Sequence, residues 1–217
     1  MSQNKNKDNK EDKHKFGRDI KILILGNMAT GKTSIINRYI NDTFEKGGQS
    51  TIAPNFSNKI IQKNGVIFRL LFWDIPGQDR NSALTNIFCQ DSQGILFCCE
   101  VKNEKSRNDI LVWKSSLENF IDLKHMPAII LENKCDLLGD KNDYEKDIDS
   151  LKNFCEQNEL LGAFRTSALN GYNIEKAIEF LVNEIIKNLK DEDIKVDTSF
   201  NLDKSKINED DKAKKCC

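Results

Sequence analysis

The chain alternates between short apolar runs and amphipathic stretches, which predicts strands and helices in turn. Continuous apolar runs, typical of strands covered on both faces, lie at 94–99 and 128–131, and a further apolar run interrupted by Lys21 lies at 20–25. Helical spacing follows the run at 20–25 and recurs at 106–122, 145–157 and 174–188. The turn dipeptide Asn64-Gly65 separates two further apolar runs and predicts a β-hairpin. We therefore predict an α/β fold, with a six-stranded, mostly parallel sheet, one antiparallel edge strand and helices on both faces.

Residues 26–34 read G-N-M-A-T-G-K-T-S and directly follow the first predicted strand. Gly26 and Gly31 let the backbone wrap closely around a phosphate at the N-terminus of a helix. We expect Lys32 to reach the β- and γ-phosphates of a nucleotide and Thr33 to hold Mg²⁺. An ordinary glycine-containing turn is the alternative for this motif taken alone. The predicted phosphate-binding residues are Asn27, Met28, Ala29, Thr30, Gly31, Lys32, Thr33 and Ser34.

A second group of polar residues is expected at the same rim, because ligands bind at the carboxyl ends of parallel strands. Asp74 ends a predicted strand and can orient Mg²⁺, directly or through water. Gly77 offers an amide to the γ-phosphate, and Gln78 can orient the attacking water. Thr51 lies in a loop and can complete the Mg²⁺ shell only while a γ-phosphate is present, which would make that loop a switch. A strand that ends in a Pro-Gly turn explains residues 73–78 equally well when they are taken alone.

The segment Asn133-Lys134-Cys135-Asp136 follows another buried strand and predicts a base-binding loop. The Asp136 carboxylate matches the two N–H donors of guanine, whereas adenine would leave it facing an acceptor. Ser167-Ala168-Leu169 follows the short segment 163–165, and the backbone N–H of Ala168 can donate to guanine O6. Each motif alone also fits a plain polar loop. Their order along the chain favours a guanine-nucleotide site.

Composition narrows the class of protein further. The 217 residues carry a formal net charge of −1, so no overall charge favours nucleic acid as a partner. No apolar stretch approaches the length of a membrane span and no secretory signal is recognisable, so we expect a cytosolic protein whose five core-type cysteines are reduced. Sparse apolar residues predict a disordered N-terminal tail at 1–17 and a second one at 190–217, around one domain at 18–189.

The chain resembles the small Ras-like GTPases, which are P-loop NTPases, and among them the Rab family. The matching segments are GNMATGKTS, STIAPNF, LLFWDIPGQDR, ENKCDL and TSAL. The segment from Phe154 to Ile186 is most similar to the Rab subgroup that serves lysosome-related organelles. The resemblance implies a monomeric switch of vesicle traffic on the cytoplasmic face of endomembranes, including endosomes, which binds GTP or GDP with Mg²⁺, hydrolyses GTP and cycles through the cytosol. Its implied partners are an exchange factor, a GTPase-activating protein, effectors, a GDP-dissociation inhibitor and a prenylation escort.

The resemblance also assigns residues that composition and spacing do not. Phe44 matches a ring that packs against guanine, and Ile52 lies in the loop that contacts effectors. Phe56, Trp73 and Phe88 match three aromatics that pack against effector helices, and a simple core role is the alternative for them. Cys216 and Cys217 resemble the doubly geranylgeranylated ending of Rabs, with two incidental thiols as the alternative.

Departures from the family pattern concern the γ-phosphate region. Ala29 stands where the family usually has Gly, and Pro76 stands where it usually has Ala. Pro76 lacks an N–H and has a fixed φ, so its loop has fewer conformations available. Gly47-Gly48 should loosen the loop that contains Thr51 when GDP is bound. We expect nucleotide binding to be intact and intrinsic hydrolysis to be slow. A GTP-binding interaction protein that has lost hydrolysis is the alternative function, and retention of Gln78 favours the switch.

Overall fold

The computed structural model describes residues 14–47, 50–78, 88–118, 120–190 and 195–197. The elements of these residues follow the predicted alternation. The strands are β1 (His14–Phe16), β2 (Ile20–Leu25), β3 (Asn55–Lys63), β4 (Val66–Asp74), β5 (Gly94–Glu100), β6 (Ala128–Asn133), β7 (Gly162–Arg165) and β8 (Lys195–Asp197). The α-helices are α1 (Lys32–Asn41), α2 (Glu104–Glu118), α3 (Ile148–Gln157) and α4 (Ile174–Lys187).

The described residues divide into two compact units. The larger unit comprises 20–59 and 70–189, and its sheet has the order β7-β6-β5-β2-β4 with parallel pairing throughout. Strand β3 pairs with β4 across the turn Asn64-Gly65, where both residues have positive φ, as this hairpin turn requires. The predicted fold class, a mostly parallel six-stranded sheet with one antiparallel strand, is confirmed for β2 to β7.

One core cluster of the larger unit lies between β5, β6 and the helices α2 and α3. Phe97, Ile130 and Trp113 are fully buried there, together with small side chains such as Cys99. The five core-type cysteines, at 89, 98, 99, 135 and 155, are all buried and reduced, as the sequence predicts. Among the residues that the structure describes, no helix is long and apolar enough to cross a membrane.

The smaller unit contains two short strands in segments that the sequence assigns to tails. Strand β1 pairs in parallel with the start of β4, and β8 pairs antiparallel with β1. The expectation of tails without regular structure is therefore wrong at 14–16 and 195–197. These strands are held by main-chain hydrogen bonds, which leave no apolar period in the sequence to reveal them. Disorder elsewhere in the two tails stays a prediction, and Cys216 and Cys217 lie outside the described residues.

Candidate functional site

The loop between β2 and α1 has the tight backbone that a phosphate cradle needs. Gly26 has φ +144°, and a Cβ there would lie 2.0 Å from the carbonyl oxygen of Cys98. Only glycine fits so close to β5. Ala29 also has positive φ, at +60°, although its side chain makes this region costly. Ser34 lies in the first turn of α1, and Met28 is about half exposed at the loop's surface.

Lys32 is buried beneath this loop, with its ammonium group fixed by backbone carbonyls. Its Nζ donates to the carbonyl oxygens of Gly26, at 2.9 Å, and Asn27, at 3.0 Å. Burial lowers the pKa of Lys32, and the nearby Cys98 and Asp74 act in the opposite direction. Thr30 closes the loop, because its Oγ1 donates to the Asn27 carbonyl at 2.9 Å. The result is an ammonium group held beneath the loop at the N-terminus of α1, where an anion is favoured.

Three oxygen-bearing side chains meet at the start of α1. Thr33 Oγ1 donates to Asp74 Oδ2 in a short hydrogen bond and lies 2.8 Å from Thr51 Oγ1. The other carboxylate oxygen, Asp74 Oδ1, is buried and has no hydrogen-bond partner in the structure. Burial raises the pKa of Asp74, opposed by the Thr33 bond, the charge of Lys32 and a bond from Thr51. Mg²⁺ prefers oxygen ligands, and these hydroxyl and carboxylate oxygens are of that kind. A buried carboxylate oxygen without a partner is costly, and a bound Mg²⁺ ion would satisfy it.

Gly77 packs directly against the phosphate loop. A Cβ on Gly77 would lie 2.2 Å from Met28 N and 2.5 Å from the Asn27 carbonyl carbon, so no larger residue fits without movement. Pro76 before it is buried, and Gln78 after it is exposed. The structure thus brings Gly77 to the loop where the sequence places a γ-phosphate. Gly48 lies outside the described residues, and Gly47 is exposed with φ +78°.

The two predicted base-binding loops are joined by hydrogen bonds. Ser167 Oγ donates to Asp136 Oδ1, which fixes the carboxylate at the end of β6. Asn133 is buried, and its Nδ2 donates to the Thr30 carbonyl at 2.8 Å while its Oδ1 accepts from Ala168 N at 3.2 Å. The Ala168 N–H is therefore engaged with Asn133 in this structure. Phe44 is half-buried and Leu169 is about half exposed.

Two supporting residues, Arg38 and Glu100, have no signal in the sequence motifs. Arg38 on α1 donates to the carbonyl oxygens of Ala168, at 2.9 Å, and Leu169, at 2.8 Å. Lys134 has positive φ and pairs with Glu100 at the end of β5, with 2.8 Å between Nζ and Oε2. Both contacts join segments far apart in sequence. Glu100 ends β5, at the rim where the sequence places the ligand, whereas Arg38 lies within α1 and had no such signal.

The three aromatics that resemble an effector surface form one stacked group, here called the aromatic cluster: Phe56, Trp73 and Phe88. The ring centroids of Phe56 and Trp73 are 5.7 Å apart, and those of Trp73 and Phe88 are 5.2 Å apart. Phe56 is 47% exposed and Ile52 is 81% exposed, so the group reaches the surface. Lys21 Nζ lies 4.7 Å from the Trp73 ring centroid, within cation–π range.

Comparison with known proteins gives the family. The Ras family model matches residues 21–187. Ras-related protein Rab-32A of Dictyostelium discoideum is 36% identical over 175 residues, covering 77% of this chain and 78% of that protein. Human Ras-related protein Rab-32 is 32% identical over 204 residues, covering 91% and 88%. Human Ras-related protein Rab-7L1 is 31% identical over 172 residues, covering 77% and 83%. The chain belongs to the Rab family of small GTPases.

Family membership establishes the general activity. Rab proteins bind GTP or GDP with Mg²⁺, hydrolyse GTP and regulate membrane traffic as nucleotide-dependent switches. It also implies exchange factors, activating proteins, GDP-dissociation inhibitors and effectors as classes of partner. Within the family, the relatives place the chain in the subgroup of Rab-32 and Rab-7L1, as the sequence predicts. The buried acceptor on Asp74 and the close backbone at Gly26 fit these ligands in this chain.

Proposed function

We propose that the residues gathered around Lys32 and Asp74 form the nucleotide site of a hydrolysing Rab switch. The observation that supports this most is Thr33 between Thr51 and a buried Asp74 with one unsatisfied oxygen. In this proposal Thr33 and Thr51 hold Mg²⁺ and Asp74 orients it, directly or through water. Bound there, Mg²⁺ would neutralise charge on the β- and γ-phosphate oxygens. The backbone of 27–34 binds the phosphates, and Asp136 selects guanine through its N–H donors.

Gln78 is proposed to orient the attacking water, with Gly77 giving its amide to the γ-phosphate. The test is single-turnover hydrolysis of bound GTP in millimolar Mg²⁺, comparing the wild type with Gln78→Leu. Gln157→Leu is the matched control, because Gln157 is an exposed glutamine at the end of α3. Hydrolysis should slow sharply in Gln78→Leu alone. Equal rates in all three proteins would exclude Gln78, and the absence of hydrolysis in the wild type would favour the alternative of a GTP-binding interaction protein.

We propose further that intrinsic hydrolysis is slow. Ala29 and Pro76 flank the junction of the phosphate loop with Gly77, and small misplacements of reacting groups cost about 100-fold. Pro76→Ala with Ala29→Gly should raise the single-turnover rate. An unchanged or lower rate would show that these two residues do not limit the reaction.

The aromatic cluster is proposed as the effector surface, together with Ile52. Proximity labelling in cells can compare three proteins. These are the single variant Gln78→Leu, the single variant Thr33→Asn, and the double variant that combines Gln78→Leu with Phe56→Ala. Partners that require both bound GTP and Phe56 should disappear in the second and third proteins. Phe120→Ala is the matched control, because Phe120 is 51% exposed and lies outside the cluster, against 47% for Phe56. Effector labelling that survives Phe56→Ala would show that the cluster is a core feature only.

For localisation, we propose the cytoplasmic face of endosomes or lysosome-related organelles. Two geranylgeranyl groups on Cys216 and Cys217 would supply the anchor, since a single lipid chain gives marginal membrane binding. A GDP-dissociation inhibitor and a prenylation escort would then carry the lipidated protein through the cytosol. The family of the chain supports this assignment.

A further inference from the structure

The side chain of Asn27 joins the phosphate loop to helix α2. Its Nδ2 donates to Asp109 Oδ2 at 2.6 Å, and its Oδ1 accepts from Trp113 Nε1 at 3.4 Å. Asp109 and Trp113 are four positions apart on α2, so they lie on the same face of the helix. Trp113 is fully buried, which gives this anchor a fixed position. We call Asn27, Asp109 and Trp113 the amide clamp.

The chemistry of the clamp requires a donor and an acceptor on one short side chain. Asn27 presents an N–H to the carboxylate and a carbonyl oxygen to the indole N–H. Aspartate at position 27 would have the same shape but would face Asp109 with like charge at hydrogen-bond distance. Exchange of the two groups, with aspartate at 27 and asparagine at 109, would restore one donor opposite one acceptor.

The backbone of Asn27 lies where the loop meets the residues assigned to the γ-phosphate. Its carbonyl oxygen accepts from Lys32 Nζ at 3.0 Å and from Thr30 Oγ1 at 2.9 Å. The Cα of Gly77 is so close that a Cβ would lie 2.5 Å from the Asn27 carbonyl carbon. A shift of Asn27 would therefore move the ammonium group of Lys32 and press on Gly77.

We propose that the amide clamp positions the phosphate loop against Gly77-Gln78 for GTP hydrolysis. Asp109 and Trp113 act through Asn27 and are positioning residues. The inference rests on the proposed function, because it takes Lys32, Gly77 and Gln78 to act on the γ-phosphate. Misplacement of reacting groups by about 1 Å can cost about 100-fold in rate. GDP keeps the β-phosphate contact with Lys32 but has no γ-phosphate against Gly77-Gln78, so its binding should depend less on the clamp than GTP hydrolysis does.

The test compares Asn27→Asp, Asp109→Asn and the double variant in single-turnover hydrolysis of bound GTP. Asn27→Asp should be at least about tenfold slower than the wild type, since it sets two carboxylates against each other. Asp109→Asn should be slowed less than Asn27→Asp, because its amide oxygen still accepts from Asn27 although without the charge of the carboxylate. The double variant should return to within about threefold of the wild type. The GDP dissociation rate and the melting temperature are measured for every variant.

The matched control adds Glu104→Gln to Asn27→Asp, which removes an exposed carboxylate from the first turn of the same helix. It should not rescue hydrolysis. Rescue by Glu104→Gln, or a wild-type rate in Asn27→Asp, would overturn the proposal. A parallel loss of GDP binding and melting temperature in Asn27→Asp would also overturn it, because the clamp would then be merely structural. A wild type without hydrolysis would refute the proposed function, and the clamp proposal would fall with it.

Discussion

Replacement of Ala29 by glycine should stabilise the folded protein, which is unusual for such a change. Ala29 has φ +60°, in the left-handed region where Cβ lies too close to the following carbonyl oxygen. This conformation costs a non-glycine residue about 1–2 kcal/mol. Glycine adopts it without that cost, because it has no Cβ.

The net gain is smaller than the relieved strain. Glycine also gives the unfolded chain more freedom, which lowers the free energy of unfolding by about 0.4–1 kcal/mol. The difference is an expected gain of about 0 to 1.6 kcal/mol. For a domain of this size, each kcal/mol moves the melting temperature by about 2–4 °C, so the largest expected rise is about 6 °C.

A matched control separates the two contributions. Ala53 is exposed in a loop and is not among the residues with positive φ, so Ala53→Gly should show only the entropic loss. The free energy of unfolding is measured for both variants in saturating GDP and Mg²⁺. GDP affinity is measured alongside, because tighter binding also raises the melting temperature. A loss in Ala29→Gly equal to that in Ala53→Gly would refute the strain at Ala29.

Three further changes test other parts of the molecule. Asp136→Asn should weaken GTP binding and admit XTP, because the amide can pair with xanthine; an unchanged GTP/XTP preference in competition binding would exclude Asp136 from base recognition. Arg165→Met should lower the free energy of unfolding by up to about 3–5 kcal/mol in urea titrations, because it removes the closer of two cationic partners of the buried Glu132, Arg165 Nε at 2.9 Å, and leaves only Arg107 at 3.7 Å. A loss below about 1 kcal/mol would contradict a strong pair there. Cys216→Ser with Cys217→Ser should make the protein cytosolic on cell fractionation without altering nucleotide affinity; persistent membrane association would place the anchor elsewhere.

The fold was predictable where apolar runs are continuous, and less so at the edge of the sheet. Strands β5 and β6 are buried along almost their whole length, so their apolar runs mark them clearly. Strand β3 begins at Asn55, although its apolar run begins only near Lys59, because most of its residues are exposed or half-exposed. Strands β1 and β8 are defined by main-chain pairing, which hydrophobic periodicity does not detect.

The site was predictable where spacing is dictated by a phosphate or a base. Lys32, Thr33 and Asp74 lie together because the motifs specify residue types at strand ends. Arg38 and Asp109 were missed, since their partners Ala168 and Asn27 are 130 and 82 residues away in sequence. Side chains on ordinary helices carry no mark of such distant bonds. Only the folded structure reveals which helix face supports which loop.

The hydrogen bonds that support the base-binding loops decide which variant can test base recognition without disturbing the rest of the site. Asn133 lies in the predicted base motif, but it also joins the Thr30 carbonyl to Ala168 N while fully enclosed. Its loss would loosen the phosphate loop and the second base loop together, so weaker GTP binding would not identify a base contact. Asp136 is only partly buried, and its carboxylate accepts a hydrogen bond from Ser167 Oγ. A change in base preference, with GDP phosphates still held by the loop, can therefore be assigned to Asp136 and not to a general loss of the site.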